Sequence, residues 1–419
     1  MIKKYKLNDF NKNVIKLMTG ATLAQAIPVA ISPILTRLYT PKDFGVLALF
    51  IAITSILGTI ANARYELAIV LPEKDEESIN IVALSIIISS SFSILLLILI
   101  LFFHNQIVLL LGNQEISVWL YTVPLVVFFI GIFNALNYYN TRMQKFGVIA
   151  QVKVVKSITL SVVQIVFGLF KAGVGGLISG QIVSHIFANG KLAKNILKDR
   201  ALLSNINQKS IIRLGKKYKR FPLITLWASL SNSLSQHTTS IFISLVYSAS
   251  SLGHYSLVQK ILGLPTTLVG KSIGQVFLQK ASQERNKTGI ASSIYKSTFK
   301  KLLVVSLPIF GILFFVIEDA VIILFGDDWK VAGEYAKYLM PLFFLRFLAA
   351  PLSLITIVFE KQNIDFLWQL AMLLFTVLTF VIVYMFGLSI YNFLVLYCGI
   401  IGLHYIIILF ITFSIATKK

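Results

Sequence analysis

The stretch "LYTPKDFGVLAL" at Leu38–Leu49 returns as "VYSASSLGHYSL" at Val246–Leu257. Tyr39 falls on Tyr247, Gly45 on Gly253 and Leu49 on Leu257, a constant offset (247 − 39 = 208) close to half of the 419-residue chain. Each copy joins two long apolar runs. Other echoes keep the same order: "YTVPL" at Tyr121–Leu125 with "YLMPL" at Tyr338–Leu342, and "LLG" ending at Gly112 with "LFG" ending at Gly326. The chain reads as a duplication.

The apolar runs set the solvent. The chain is 57% hydrophobic and 13% charged, with a mean hydropathy of +0.82. Soluble domains carry roughly 45–50% apolar and about 25% charged residues. Hydropathy places spans near 14–38, 44–70, 79–103, 117–139, 148–170, 173–194, 221–246, 252–277, 298–325, 335–359, 364–386 and 389–416. An open sheet cannot satisfy its edges in hydrocarbon and a barrel would alternate, so the spans are helices. The expected fold class is an all-α integral membrane protein of about 12 transmembrane helices in two pseudo-symmetric six-helix bundles. The long polar connection 195–220 divides it into an N-terminal lobe, 1–205, and a C-terminal lobe, 206–419. Six spans per half enter the membrane the same way up, giving a parallel repeat with the substrate path between the halves.

Basic residues set the orientation. One face holds Lys3, Lys4, Lys6, Lys12 and Lys16, then Arg142, Lys145, Lys153 and Lys156, the ten Lys and Arg of 191–220, and the basic run 280–301. The other offers little beyond Arg37, Lys42, Lys171, Lys330 and Lys337. Positive residues stay inside, so both termini are expected in the cytoplasm. The net charge of +21 is then a topology signal that meets anionic headgroups, not a nucleic-acid surface. The basic start feeds an apolar run too long for a cleavable signal. A lone Cys398 and five scattered histidines (His104, His185, His237, His254, His404) offer no metal set, and the histidines read as structural or interfacial. No cofactor is expected; a coupling ion or the membrane potential is left open as the energy source.

Polar groups inside spans mark a wet path. Span seven carries Thr225, Ser229, Asn232, Gln236, Ser240 and Ser244 at helical spacing, and span two carries Ser55, Thr59, Asn62 and Glu66. A basic residue at mid-membrane costs roughly 3 kcal/mol even on insertion scales. Lys260 and Lys271 share a face of span eight about 16 Å apart, Arg346 lies deep in span ten, and Arg64 and Arg37 complete the set. Lys260 and Arg346 are read as anion contacts on a second-half cavity wall. Glu66, two residues from Arg64, is expected on another helix face and unpaired with it. The candidate lumen residues are Arg37, Arg64, Lys260, Lys271, Arg346, Asn232 and Gln236. Pro28, Pro33, Pro124, Pro265, Pro308, Pro341 and Pro351 interrupt spans as hinges or kinks. The GxxxG pairs Gly176/Gly180 and Gly270/Gly274 imply close helix packing.

The strings "SPILTRLYTPKDFGVLALF" (Ser32–Phe50) and "RYELAIVLP" (Arg64–Pro72) resemble the opening signatures of bacterial polysaccharide-biosynthesis membrane proteins. These are the lipid-linked oligosaccharide (O-antigen type) flippases of the multidrug/oligosaccharidyl-lipid/polysaccharide exporter superfamily. The resemblance implies a V-shaped pair of six-helix bundles with a cationic lumen in the bacterial inner membrane. It also implies a non-enzymatic function: moving undecaprenyl-diphosphate-linked glycan to the periplasmic leaflet for O-antigen, capsule or lipopolysaccharide synthesis. The implied partners are that polyprenyl-diphosphate-linked glycan, the phospholipid bilayer and a glycan polymerase or assembly protein. A cation-coupled drug or metabolite exporter of the superfamily is the alternative, and would rely on embedded carboxylates that are scarce here. A membrane glycan polymerase would need catalytic acids on large outer loops, and the outer connections are short.

Overall fold

The computed structural model of the chain describes residues 9–418. Lys3, Lys4 and Lys6, which carry part of the orientation argument, lie outside the described residues, as do the side chains of Lys12 and Lys16. Among the described residues every regular element is helical. The long helices are α1 (Asp9–Ala30, continued by Ser32–Leu38), α2 (Pro41–Ile60), α3 (Asp75–Leu111), α4 (Val123–Arg142), α5 (Phe146–Leu169) and α6 (Val174–Lys198). They continue as α7 (Leu226–Val246), α8 (Ala249–Pro265, continued by Lys271–Thr288), α9 (Ser292–Phe325), α10 (Lys330–Leu352), α11 (Gln362–Phe386) and α12 (Ile390–Thr417). Ten of the twelve meet the length and apolarity of a membrane span. The other two, α6 and α7, are long enough but more polar. This is an all-α, multi-pass membrane protein.

Boundaries differ from the hydropathy reading where polar residues continue a helix into the interfacial region. α3 covers 37 residues but breaks at Phe103, whose φ of −115° and ψ of 23° are not helical. Its first part begins four residues before the expected span 79–103 and ends with it, and a second helical part continues to Leu111. The expected second span, 44–70, is wrong in its last third. α2 stops at Ile60, and Tyr65–Val70 forms a separate 3₁₀ turn.

The chain forms two compact units, 1–233 and 234–419, meeting inside α7. In the first, α4 packs against α2, α3 and α6, and α5 lies between α1 and α6. In the second, α10 packs against α8, α9 and α12. The repeated phrase has the same local use in both. Thr40 caps α2 reciprocally with Asp43, accepting from its amide at 3.2 Å, and Ser248 caps α8 by accepting from the Ser251 amide at 3.0 Å. The Tyr39 hydroxyl donates to the Gln164 carbonyl at 2.6 Å, and that of Tyr247 to the Leu388 carbonyl at 3.2 Å. Leu49 and Leu257 are both buried in their units. Gly112 and Gly326, both at positive φ, end α3 and α9 and lead into 3₁₀ turns. Both GxxxG pairs sit at close approaches: Gly176 against Tyr39 and Phe167, Gly274 against Pro351 and Leu354.

The 195–220 connection is not a free linker. Helix Gln208–Lys217 lays Leu214 into a buried cluster with Ile69, Ile79, Val82, Leu136 and Leu192. Tyr65 donates to the Gly215 carbonyl at 2.9 Å, and Arg213 pairs with Glu77 at 2.9 Å. The first unit therefore extends past the dividing line expected at 205/206.

Replacing the fully buried Leu214 with Ala should cost about 2–5 kcal/mol and release this helix. Limited trypsin digestion of the detergent-purified protein should then cut at Lys216 and Lys217 much faster than in wild type. Ile212→Ala, at a position 51% exposed, should leave the digestion rate unchanged.

Candidate functional site: a cationic cavity in the first unit

A helix cannot bring residues i and i+2 together, and the segment after α2 is not a helix. Ala63 and Arg64 both adopt positive φ (48° and 65°), a conformation costly for residues other than glycine. The turn is fixed by Asn62, whose amide donates to the carbonyls of Ser85 at 3.0 Å and Gly131 at 3.1 Å. Arg64 thereby swings back onto Glu66, with Nη1 to Oε1 at 3.0 Å. The sequence expectation that the two side chains diverge is corrected, because it assumed continuous α-helix through 44–70. Glu66 is buried, so the pair is held in a low-dielectric setting.

Arg64 lines a cavity of about 520 Å³ inside the first unit. Its walls include Thr54, Ser55 and Thr59 of α2, Phe133 and Asn134 of α4, Lys156 of α5, and Gln181 and His185 of α6. Lys156 Nζ lies 3.0 Å from His185 Nε2 and 5.1 Å from the centre of the Phe133 ring. With Lys156 as the ammonium donor, Nε2 of His185 accepts and carries no proton. The Phe133 ring stands edge-on to His185 at 6.2 Å. Arg64 has a carboxylate partner, whereas Lys156 has none among the described residues. The cavity thus presents one neutralised and one uncompensated cation among hydroxyls and amides, a lining that accepts an anion with polar substituents.

Lys156 and His185 were missed by the sequence reading. Lys156 was counted among inner-face charges, yet it lies ten residues into α5, about 15 Å along the axis. His185 was read as structural or interfacial. The signal was present: Gln181, His185 and Asn189 repeat every four residues on α6, the same periodicity that singled out span seven.

Of the seven expected lumen residues, the structure brings only Arg64 into this cavity. Arg37 and Lys271 are exposed. Lys260 on α8 and Arg346 on α10 are each half-buried in the second unit, and neither has an acidic partner among the described residues. Arg346 stands over the Phe343 ring at 5.9 Å, within electrostatic range of Tyr255 and Tyr405. Asn232 and Gln236 are exposed on α7, whose buried polar residues are instead Ser233, Ser235, Thr238, Thr239 and Ser244. Glu318 pairs with Lys337 at 3.0 Å and Glu360 with Arg285 at 3.3 Å, both partly exposed.

Removing one member of a buried ion pair costs about 3–5 kcal/mol, because the other charge stays buried and unpaired. Glu66→Ala should therefore lower the thermal unfolding midpoint in detergent substantially. The double variant Glu66→Ala, Arg64→Met should recover most of that loss, since neither charge of the pair is left behind without its partner.

The fold matches known membrane transporters. A lipid II flippase MurJ in an inward closed conformation superposes with a TM-score of 0.72 at 15% identity, covering 96% of this chain and 87% of that one. An inward-facing multidrug resistance MATE family transporter of the MOP superfamily gives 0.69 at 15% identity, covering 95% and 93%. A MOP superfamily transporter from Pyrococcus furiosus gives 0.64 at 14% identity, covering 97% of each chain. At these identities the likeness establishes the fold. No curated protein matches the sequence. The profile of the family described as polysaccharide biosynthesis protein matches residues 34–334, well over half of the chain. This chain, an all-α membrane protein on the fold of MOP-superfamily transporters, belongs to the polysaccharide biosynthesis protein family.

Proposed function

We propose that the protein is a flippase that carries a polyprenyl-diphosphate-linked oligosaccharide from the cytoplasmic to the periplasmic leaflet of a bacterial inner membrane, for surface polysaccharide of the O-antigen or capsule kind. The observation that carries this reading is the uncompensated Lys156 in a cavity that also presents Arg64, itself paired with Glu66, and the polar side chains Thr54, Ser55, Thr59, Asn134 and Gln181 between apolar walls such as Phe50 and Ile130. A diphosphate bearing sugars cannot cross hydrocarbon unaided, while its polyprenyl tail stays in lipid. Lys156 supplies a point charge to the phosphate, Arg64 supplies donors not used by Glu66, and Asn134 and Gln181 meet sugar hydroxyls. Transport breaks no bond, and binding has to be reversible. One full charge beside a neutralised one favours release more than a dense cluster would. Membership of the polysaccharide biosynthesis family supports the glycan. The distribution of basic residues supports cytoplasmic termini.

In this reading Lys260 and Arg346 are further anion contacts in the second unit. Arg37, Lys271, Asn232 and Gln236, all exposed, are contacts made as the headgroup enters or leaves.

The test is complementation of a flippase-null strain with surface glycan as readout and membrane levels checked by immunoblot. Lys156→Arg should retain most of the glycan, and Lys156→Glu should reduce it at least tenfold at equal protein. Wild-type glycan from a well-expressed Lys156→Glu variant would overturn the reading.

A further inference from the structure

The second unit carries a groove of about 360 Å³ where the first turns of α9 meet the last turns of α12, lined by Tyr295, Lys296, Phe299, Leu409, Phe410 and Phe413. It is apolar and preformed. Tyr295, its floor, turns its hydroxyl away to the Leu409 carbonyl at 3.0 Å and Thr412 Oγ1 at 2.9 Å. The Tyr295 ring lies 5.6 Å from that of Phe413 and 6.2 Å from that of Phe277. A backbone bond from the Ala291 amide to the Ala416 carbonyl at 2.9 Å ties the two helix ends together. Phe410 nonetheless stays 71% exposed.

Charge borders the groove. Lys296 is part of its lining and is exposed, with Nζ 5.8 Å from the centre of the Phe413 ring, so an apolar stem and an accessible ammonium come from one side chain. Lys300 follows one turn later on the same helix face, and both are exposed. The nearby carboxylate, Glu284, caps α9 by accepting from the amides of Ser293 at 3.0 Å and Ile294 at 2.8 Å.

We propose that this groove binds an anionic phospholipid, one acyl chain against Phe299, Phe410 and Phe413 and its phosphate at Lys296. A zwitterionic lipid satisfies the apolar lining alone; a net-negative headgroup also satisfies the lysines, which attract anionic lipid near a membrane surface. A polyprenyl phosphate offers the same pairing of apolar chain and anionic head. Lys296 lies in the first two turns of α9, at the depth of a resident headgroup, whereas a transported headgroup has to leave that depth.

The experiment is native mass spectrometry of the full-length protein in micelles containing equal amounts of phosphatidylglycerol and phosphatidylethanolamine. Wild type should retain phosphatidylglycerol about fivefold or more over phosphatidylethanolamine. Lys296→Gln should remove most of that preference, Phe410→Ala should lower retention of both lipids, and Lys330→Gln, an exposed lysine on α10, should change neither. Circular dichroism confirms that each variant is folded. Equal retention of the two lipids by wild type, or equal effects of Lys296→Gln and Lys330→Gln, would refute the site. Displacement of phosphatidylglycerol from wild type by undecaprenyl phosphate, lost in Lys296→Gln, would make the occupant a polyprenyl chain and refute the phospholipid assignment.

Discussion

The ion pair between Arg64 and Glu66 is the constraint on which the interior of the first unit depends. A carboxylate buried away from water needs a cation and hydrogen bonds. Residues two apart can meet only if the helix stops. α2 therefore ends at Ile60, and two non-glycine residues take positive φ, each at a cost of about 1–3 kcal/mol. Asn62 offsets part of that cost by donating to carbonyls on both α3 and α4. The result is a rigid corner that aims Arg64 at the space faced by Lys156, Gln181 and His185.

The corner also sets the electrostatics. Were Arg64 unpaired, the cavity would hold two full cations and grip a diphosphate tightly. With Glu66 beside it, Arg64 contributes donors more than net charge, leaving Lys156 as the main attraction. His185 accepts from Lys156 and holds the ammonium against the Phe133 ring. A transporter gains from this moderation, since affinity that cannot be reversed stops turnover.

Much of the architecture was legible because hydrocarbon is an unforgiving solvent. Apolar length gave the helices, and the echo of Tyr39 in Tyr247 has a physical content: each tyrosine ties a loop to a distant carbonyl beside a capped helix start. The more polar helices α6 and α7 were also placed, as the hydropathy spans 173–194 and 221–246. What escaped was local backbone geometry. Nothing in the spacing of Arg64 and Glu66 announces positive φ at Ala63 and Arg64, so helical periodicity gave the wrong relation between them. Lys156 escaped for a different reason: as one of many lysines it counted only toward orientation, although the expected span 148–170 already placed it eight residues in, close to where α5, starting at Phe146, puts it. Periodicity says which residues share a side but not what that side meets, so the common face of Asn232 and Gln236, both exposed, says no more than that they are accessible together.

The most direct measurement is translocation itself, with purified protein in proteoliposomes and a fluorescent undecaprenyl-diphosphate oligosaccharide whose glycan is scored by a membrane-impermeant glycosidase. Wild-type protein should expose glycan initially protected in the inner leaflet, excess inorganic diphosphate should slow this, and Lys156→Glu vesicles should behave like protein-free ones. Exposure at the wild-type rate in Lys156→Glu vesicles would contradict the cavity as the path of the headgroup. No exposure by folded wild-type protein, with a membrane potential and ion gradients supplied, would contradict the flippase assignment.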